Sequence, residues 1–221
     1  PRLTDSPRLR VSETTRPRTL PRYSASERSN HWVVAITFIL LALSGLAFYH
    51  PAFFFLSDLL GGGYWARVLH PYIGVVFFVC FAVLALRLAR HNAWEAKDAQ
   101  WLKHFPDVLA NREEHLPEVG RYNALQKALF YVLVLSAVGL LLSGIGLWRA
   151  WFSLPVGVVR AAALVHAACA FVAITSIIVH IYAAIWVKGS VRAMMRGDVT
   201  WGWAWRHHRA WFRQMVKGAN E

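Results

Sequence analysis

Residues 161–187 read AAALVHAACAFVAITSIIVHIYAAIWV, 27 consecutive positions without an Asp, Glu, Lys or Arg. A helix needs about 20 apolar residues to cross the hydrocarbon core of a bilayer, so this stretch is long enough to span it. Working outward, three more charge-free windows appear at 29–57, 68–86 and 128–148, and the four together hold 96 of the 221 residues. The chain is 57% hydrophobic with a mean hydropathy of +0.36, yet it carries 24 Lys+Arg against 12 Asp+Glu, a net charge of +12. Charge segregated so sharply from apolar sequence excludes an ordinary soluble domain, a disordered basic tail and a nucleic-acid binder. Inside lipid only helices and closed barrels satisfy the backbone, and the windows lack the alternation of strands. The sequence therefore predicts an all-α membrane protein, a transmembrane four-helix bundle with spans near 32–50, 69–89, 126–148 and 162–187.

The basic residues then assign sides. Segments outside the windows hold seven, one, seven, two and seven Lys or Arg in chain order. Cytoplasmic segments carry the excess of positive charge, so both termini and the middle loop are expected in the cytoplasm. The composition also divides the chain. Residues 1–24, rich in Pro, Arg, Ser and Thr, are expected to be extended or disordered unless a partner orders them. Residues 25–190 form the membrane domain, and 191–221 a cytoplasmic amphipathic segment mixing aromatics with arginine, suited to the interface or to a partner. Phe53–Leu56 and Gly61–Gly63, between the first two spans, suggest an interfacial segment and a turn.

The two cysteines, Cys80 and Cys169, both fall inside apolar windows and are expected as buried thiols rather than a disulfide. No CxxCH is present for covalent haem attachment and no cysteine cluster for zinc or iron–sulfur. Nothing apolar precedes residue 32, so no cleavable signal peptide is expected.

Four of the ten histidines sit where polar side chains are expensive. His166 and His180 are 14 residues apart, within about 40° of a common helix face and roughly 21 Å apart along the axis. One helix thus offers two imidazoles at two depths, which suits two stacked haems. With the fourth span running outside to inside, His166 lies on the periplasmic side and His180 on the cytoplasmic side. His31 opens the first span at the depth of His180, and His70 opens the second at the depth of His166. Two bis-imidazole pairs follow, His31 with His180 and His70 with His166, each able to ligate a haem iron. Taken alone, His31 or His70 reads more readily as an interfacial cap than as a ligand. His50 lies 19 residues from His31, about 100° off its face, and is set aside. His91, His104 and His115 fall in the charged loop and are expected to be solvated, while His207 and His208 read as interface or partner contacts.

Several stretches carry a family likeness. They are Ser29-Asn30-His31-Trp32 with Leu43-Ser44-Gly45, Leu69-His70-Pro71-Tyr72-Ile73-Gly74, Tyr122-Asn123-Ala124-Leu125-Gln126-Lys127, Leu164-Val165-His166-Ala167-Ala168, and Val179-His180 continuing to Trp186-Val187-Lys188-Gly189-Ser190. Over roughly residues 25–217 the chain resembles the cytochrome b (gamma) subunit of respiratory, membrane-bound formate dehydrogenase. That family has four helices and two b haems, and its four ligand positions fall on His31, His70, His166 and His180, in agreement with the depth and phase argument.

The resemblance implies a bacterial inner-membrane subunit of anaerobic respiration. It implies a periplasmic iron–sulfur (beta) subunit as electron donor, with a molybdenum- or tungsten-containing catalytic (alpha) subunit behind it. The family's quinone site includes the stretch matched by Tyr122–Lys127, which brings Asn123 and Gln126 forward as quinone-binding residues. Leu125 departs from the glycine of some relatives, which puts close backbone approach there in doubt. Asn123 also suits a helix cap. Gly139, Ser143, Gly144 and Gly146, like Ser44 and Gly45, are small enough for close packing. Arg149 and Arg160 read as haem-propionate partners or as ordinary interfacial arginines. Rival readings are the cytochrome b subunit of a nickel–iron hydrogenase or another quinone-linked oxidoreductase, and a non-redox membrane anchor or transporter.

Overall fold

The structure, a computed structural model, describes residues 19–110 and 117–217. His115, and the part of the N-terminal segment before residue 19, lie outside the described residues. In chain order the elements are strand β1 (Thr19–Pro21), helix α1 (Ala25–Tyr49), a 3₁₀ segment (Pro51–Leu60), α2 (Gly63–Ala89), α3 (Ala96–Lys103), α4 (Phe105–Leu109), α5 (Ala124–Leu147), α6 (Val156–Trp186), α7 (Ser190–Arg196), strand β2 (Asp198–Thr200), α8 (Trp201–His207) and α9 (Arg209–Lys217).

Four helices, α1, α2, α5 and α6, are long and apolar enough to cross a membrane, and at most 17% of the most apolar stretch of any of them is buried within the protein. A helix that is apolar all round and left uncovered by its own chain needs lipid as its solvent. All four begin earlier in the chain than the apolar windows suggest, and at α1 and α5 a capping box on polar sequence sets the start. Ser24 accepts from the Glu27 N–H at 3.2 Å while the Glu27 carboxylate accepts from the Ser24 N–H at 2.8 Å, a reciprocal capping box that starts α1 on polar sequence. The helix α6, 31 residues or about 46 Å long, exceeds the thickness of the hydrocarbon core by a wide margin.

The bundle is built from two hairpins. Helix α1 packs on α2 and α5 packs on α6, with α2 also touching α5. Small residues allow the α5–α6 approach. A methyl group added at Gly139 would come within 2.5 Å of the Cys169 sulfur, and one at Gly146 within 3.2 Å of Ala162. Gly45 and Gly144 are less constrained, meeting only ordinary contacts with His70 and His166. Both cysteines are free thiols and only half-buried. Between α1 and α2, the 3₁₀ segment exposes Phe53, Phe54 and Phe55 and ends at Gly61, left-handed at φ 88°, and Gly62, extended at a positive φ of 94°. The expected turn is present, preceded by a helical segment with exposed aromatic side chains.

At the end of the bundle where α1 begins and α6 finishes, the polar segments fold on one another. Strand β1 pairs antiparallel with β2, Leu20 opposite Val199. Arg22 is buried beneath them, donating to the Arg121 carbonyl at 2.8 Å and lying 4.9 and 5.0 Å from the rings of Trp203 and Trp211. Residues 19–24 are thus ordered by the chain's own C-terminal segment. His208 corrects an expectation too. Rather than awaiting a partner it is 2% exposed, bonding through Nδ1 to the Gly120 carbonyl at 2.8 Å and facing Arg22 Nη2 through Nε2 at 3.3 Å. Its neighbour His207 packs on Trp203.

The charged middle loop is also more structured than its composition suggests. Trp101 on α3 is buried with Val119 and Ala124. Lys127 reaches back from α5 to Asp98 at 2.7 Å and the Ala93 carbonyl at 2.9 Å, with both ionised side chains almost fully enclosed. His91 is half-buried beside the Tyr122 ring and accepts from Arg90 Nε, which corrects the expectation of a solvated side chain. His104 does stand exposed, next to Asp107 at 3.3 Å.

Two predictions follow from these packed polar groups. Asp98→Ala removes the nearer of the two carboxylate partners of the buried Lys127 ammonium, leaving Glu95 at 3.4 Å; breaking a buried pair outright costs about 3–5 kcal/mol, so thermal unfolding of the detergent-solubilised protein is expected at lower temperature, with a smaller drop for Asp98→Ala combined with Lys127→Met. Burial, then the charge of Arg22, holds His208 well below the usual imidazole range. Its folded pKa being depressed, the stability it contributes is complete above about pH 6.5 and is lost as pH falls toward the folded value. Amide exchange in 198–217, corrected for intrinsic rate, is expected to quicken between pH 7.5 and 5.5, and His208→Gln is expected to remove that dependence.

Candidate haem-binding site

Helix α6 carries His166 and His180 at two levels, and each meets an imidazole from the other hairpin. The ring of His31 on α1 lies with its centroid 6.4 Å from that of His180, the planes inclined at 52°. The ring of His70 on α2 lies 6.3 Å from that of His166, the planes inclined at 59°. Both pairings read from sequence are therefore brought together, and at one spacing. With metal–imidazole bonds of about 2.0–2.1 Å and a ring nitrogen about 1.1 Å from its ring centre, one ion held between two imidazoles puts the centroids about 6.3 Å apart. Both pairs fit that distance. No group of three or more His, Cys, Asp or Glu that could hold a metal ion occurs among the described residues. Two trans imidazoles alone suit a metal whose remaining positions are filled by a macrocycle, as in haem.

The pair at the far end from the termini is further equipped. Ser44 on α1 lies 2.7 Å from His70 Nδ1, and Ser143 on α5 lies 2.9 Å from His166 Nδ1. Each hydroxyl donates its proton to a carbonyl one turn back, Ser44 to Leu40 at 2.7 Å and Ser143 to Gly139 at 2.6 Å. With its proton so placed, each serine oxygen is free to accept from the imidazole; in that tautomer Nδ1 carries the ring proton and Nε2 keeps the lone pair a metal needs. Sequence reading weighed Ser44 and Ser143 only as small packing residues. The signal that would have singled them out is their pairing with histidines on other helices, invisible along the chain. Phe48 closes the same site edge-on to His70 at 5.6 Å.

His50 takes no part. Its Nδ1 accepts from the Ala52 N–H at 3.2 Å and caps the 3₁₀ segment. The side chains of Arg149 and Arg160 stand exposed at the far end.

Asn123 and Gln126 form a capping box at the start of α5. The Asn123 side-chain oxygen accepts from the Gln126 N–H at 2.9 Å, and the Gln126 oxygen from the Asn123 N–H at 3.0 Å. Capping uses only the two oxygens. Both side-chain NH₂ groups remain outside the box, Asn123 half-buried and Gln126 exposed.

An apolar four-helix bundle with imidazoles facing across its interior is the architecture of a membrane cytochrome b. The family model described as prokaryotic cytochrome b561 matches residues 22–197, and the chain belongs to that family. It is 42% identical over 201 residues to the formate dehydrogenase cytochrome b556(fdo) subunit of Escherichia coli (strain K12), covering 90% of this chain and 94% of the relative. It is 40% identical to the formate dehydrogenase cytochrome b556 subunit of Haemophilus influenzae, covering 95% and 87%. To the nitrate-inducible cytochrome b556(Fdn) subunit of E. coli it is 38% identical, covering 86% and 89%.

Proposed function

We propose that this chain is the dihaem, quinone-reducing membrane subunit of a formate dehydrogenase. The observation that carries the reading is the pair of imidazole couples on α6, both at the spacing of a bis-imidazole iron site. The names of the relatives support the formate dehydrogenase assignment, and the distribution of Lys and Arg supports termini on the cytoplasmic side.

Haem b bound between the couples supplies one-electron transfer. The residues of this chain do the rest. His70 and His166 hold the site at the periplasmic end, where an iron–sulfur subunit fed by a molybdenum- or tungsten-containing catalytic subunit delivers electrons. His31 and His180 hold the cytoplasmic site. The apolar faces of α1, α2, α5 and α6 keep water from both. Near the cytoplasmic end, the NH₂ groups of Asn123 and Gln126 donate to a quinone carbonyl while their oxygens maintain the cap. Reduction of the quinone to quinol takes up two protons per two electrons. Proton uptake from the cytoplasm, with electrons arriving from the opposite face, makes turnover build a membrane potential in the bacterial inner membrane.

Single His→Ala variants test the haem assignment. Each of His31, His70, His166 and His180 is expected to cost about one of two haems, measured by pyridine haemochrome against protein, and His50→Ala none; unchanged content in any of the four would remove that residue from the site. Asn123→Asp tests quinone binding, since it keeps an oxygen for the cap and loses the NH₂ donor. Quinone reduction is expected to fall up to about tenfold, the value of one hydrogen bond, with both haem bands retained.

A further inference from the structure

The two imidazole couples differ in what stands behind them. At the periplasmic-end couple both rings donate, His70 to Ser44 at 2.7 Å and His166 to Ser143 at 2.9 Å. At the cytoplasmic-end couple His31 Nδ1 is buried without a hydrogen-bond partner, and among the described residues the ring of His180 makes no hydrogen bond. One imidazole couple is therefore hydrogen-bonded through both of its rings, and among the described residues the other through neither.

A ring that donates from Nδ1 becomes a more basic ligand at Nε2. A more basic axial ligand favours the more positive, oxidised iron, so its reduction potential falls. The serines are strong acceptors because each gives its own proton to the carbonyl one turn back, and linked hydrogen bonds polarise one another. That back-bond also fixes the hydroxyl direction, so it does not swing round to donate to the ring.

We infer that Ser44 and Ser143 are positioning residues that set the periplasmic-end haem at a lower potential than the cytoplasmic-end haem, so that electrons run downhill toward the quinone side. The inference rests on the dihaem reading above and adds the device that gives the two sites unequal potentials. A haem held by His70 and His166 would then pass an electron downhill to one held by His31 and His180, the first being oxidised as the second is reduced, while the imidazoles keep their protons. The direction is built into side chains that touch neither the iron nor the quinone.

The test is a spectroelectrochemical redox titration of the purified complex. The haem that survives in His180→Ala, which keeps the periplasmic-end couple, is expected to titrate at lower potential than the haem that survives in His70→Ala. The reverse order overturns the inference, and this arm needs no serine variant to fold. Ser44→Ala and Ser143→Ala are each expected to move the lower-potential component to more positive values and leave the other in place. The double variant should bring the two components closer together, while Ser44→Thr and Ser143→Thr, which keep the hydroxyl, should titrate as the parent does. A serine that served packing alone would lower thermal stability without moving a potential; that result, with two haems still bound, sinks the proposal. Failure of the dihaem reading itself would show earlier and separately, as fewer than two haems per chain in the parent.

Discussion

Lipid gives two apolar helices no hydrophobic reason to associate, so a membrane bundle is held by close packing and by its polar contacts. In this chain close packing accounts for each hairpin, with α5 drawn onto α6 where Gly139 meets Cys169. It accounts less well for the union of the hairpins, whose direct packing is concentrated between α2 and α5. Tyr131 donates across it to the Asn92 carbonyl and Arg28 to the Met195 carbonyl, and deep in the bundle imidazole crosses it too. His31 and His70 belong to the first hairpin, His166 and His180 to the second, and each couple joins one to the other. The placement of these four rings is the constraint on which the remaining architecture depends.

That dependence runs outward to the polar end. If the first hairpin must meet the second at two depths, the start of α1 and the end of α6 come to the same face of the bundle. The chain then closes that face with its own termini. Strand β1 pairs with β2, Arg22 is enclosed by Trp203 and Trp211, and His208 reads the Gly120 carbonyl beside the start of α5. Lys127 locks α5 to the middle loop through Asp98 in the same way. Such enclosed polar contacts are costly to break and geometrically specific, and they fix the start of α5, where Asn123 and Gln126 form the capping box.

Much of this was legible along the chain, and the misses have physical causes. Charge-free runs mark where lipid is the solvent, so four spans and the loops between them could be read directly. Their ends could not, because a helix stops where a cap stops it, and Ser24 and Asn123 lie at the margins of the apolar windows or beyond them. His166 and His180 share a face by helical period alone, and their counterparts follow from depth. His208 looked like a surface residue because its local sequence is basic and polar; the contacts that enclose it come from Gly120 and Arg22, distant along the chain. Ser44 and Ser143 were plain for the same reason, since their partners lie 26 and 23 residues away.

By itself, then, the sequence determined the fold class, the four spans and which histidines share a depth, all properties of periodicity and solvent preference that a single helix already possesses. The tertiary structure alone decided the ring-to-ring spacing of the couples, the serine behind each far-end imidazole, the bare Nδ1 of His31 and the burial of Arg22 with His208. Those depend on how helices rotate and approach one another, and a hydrogen bond between two helices is written in neither of them.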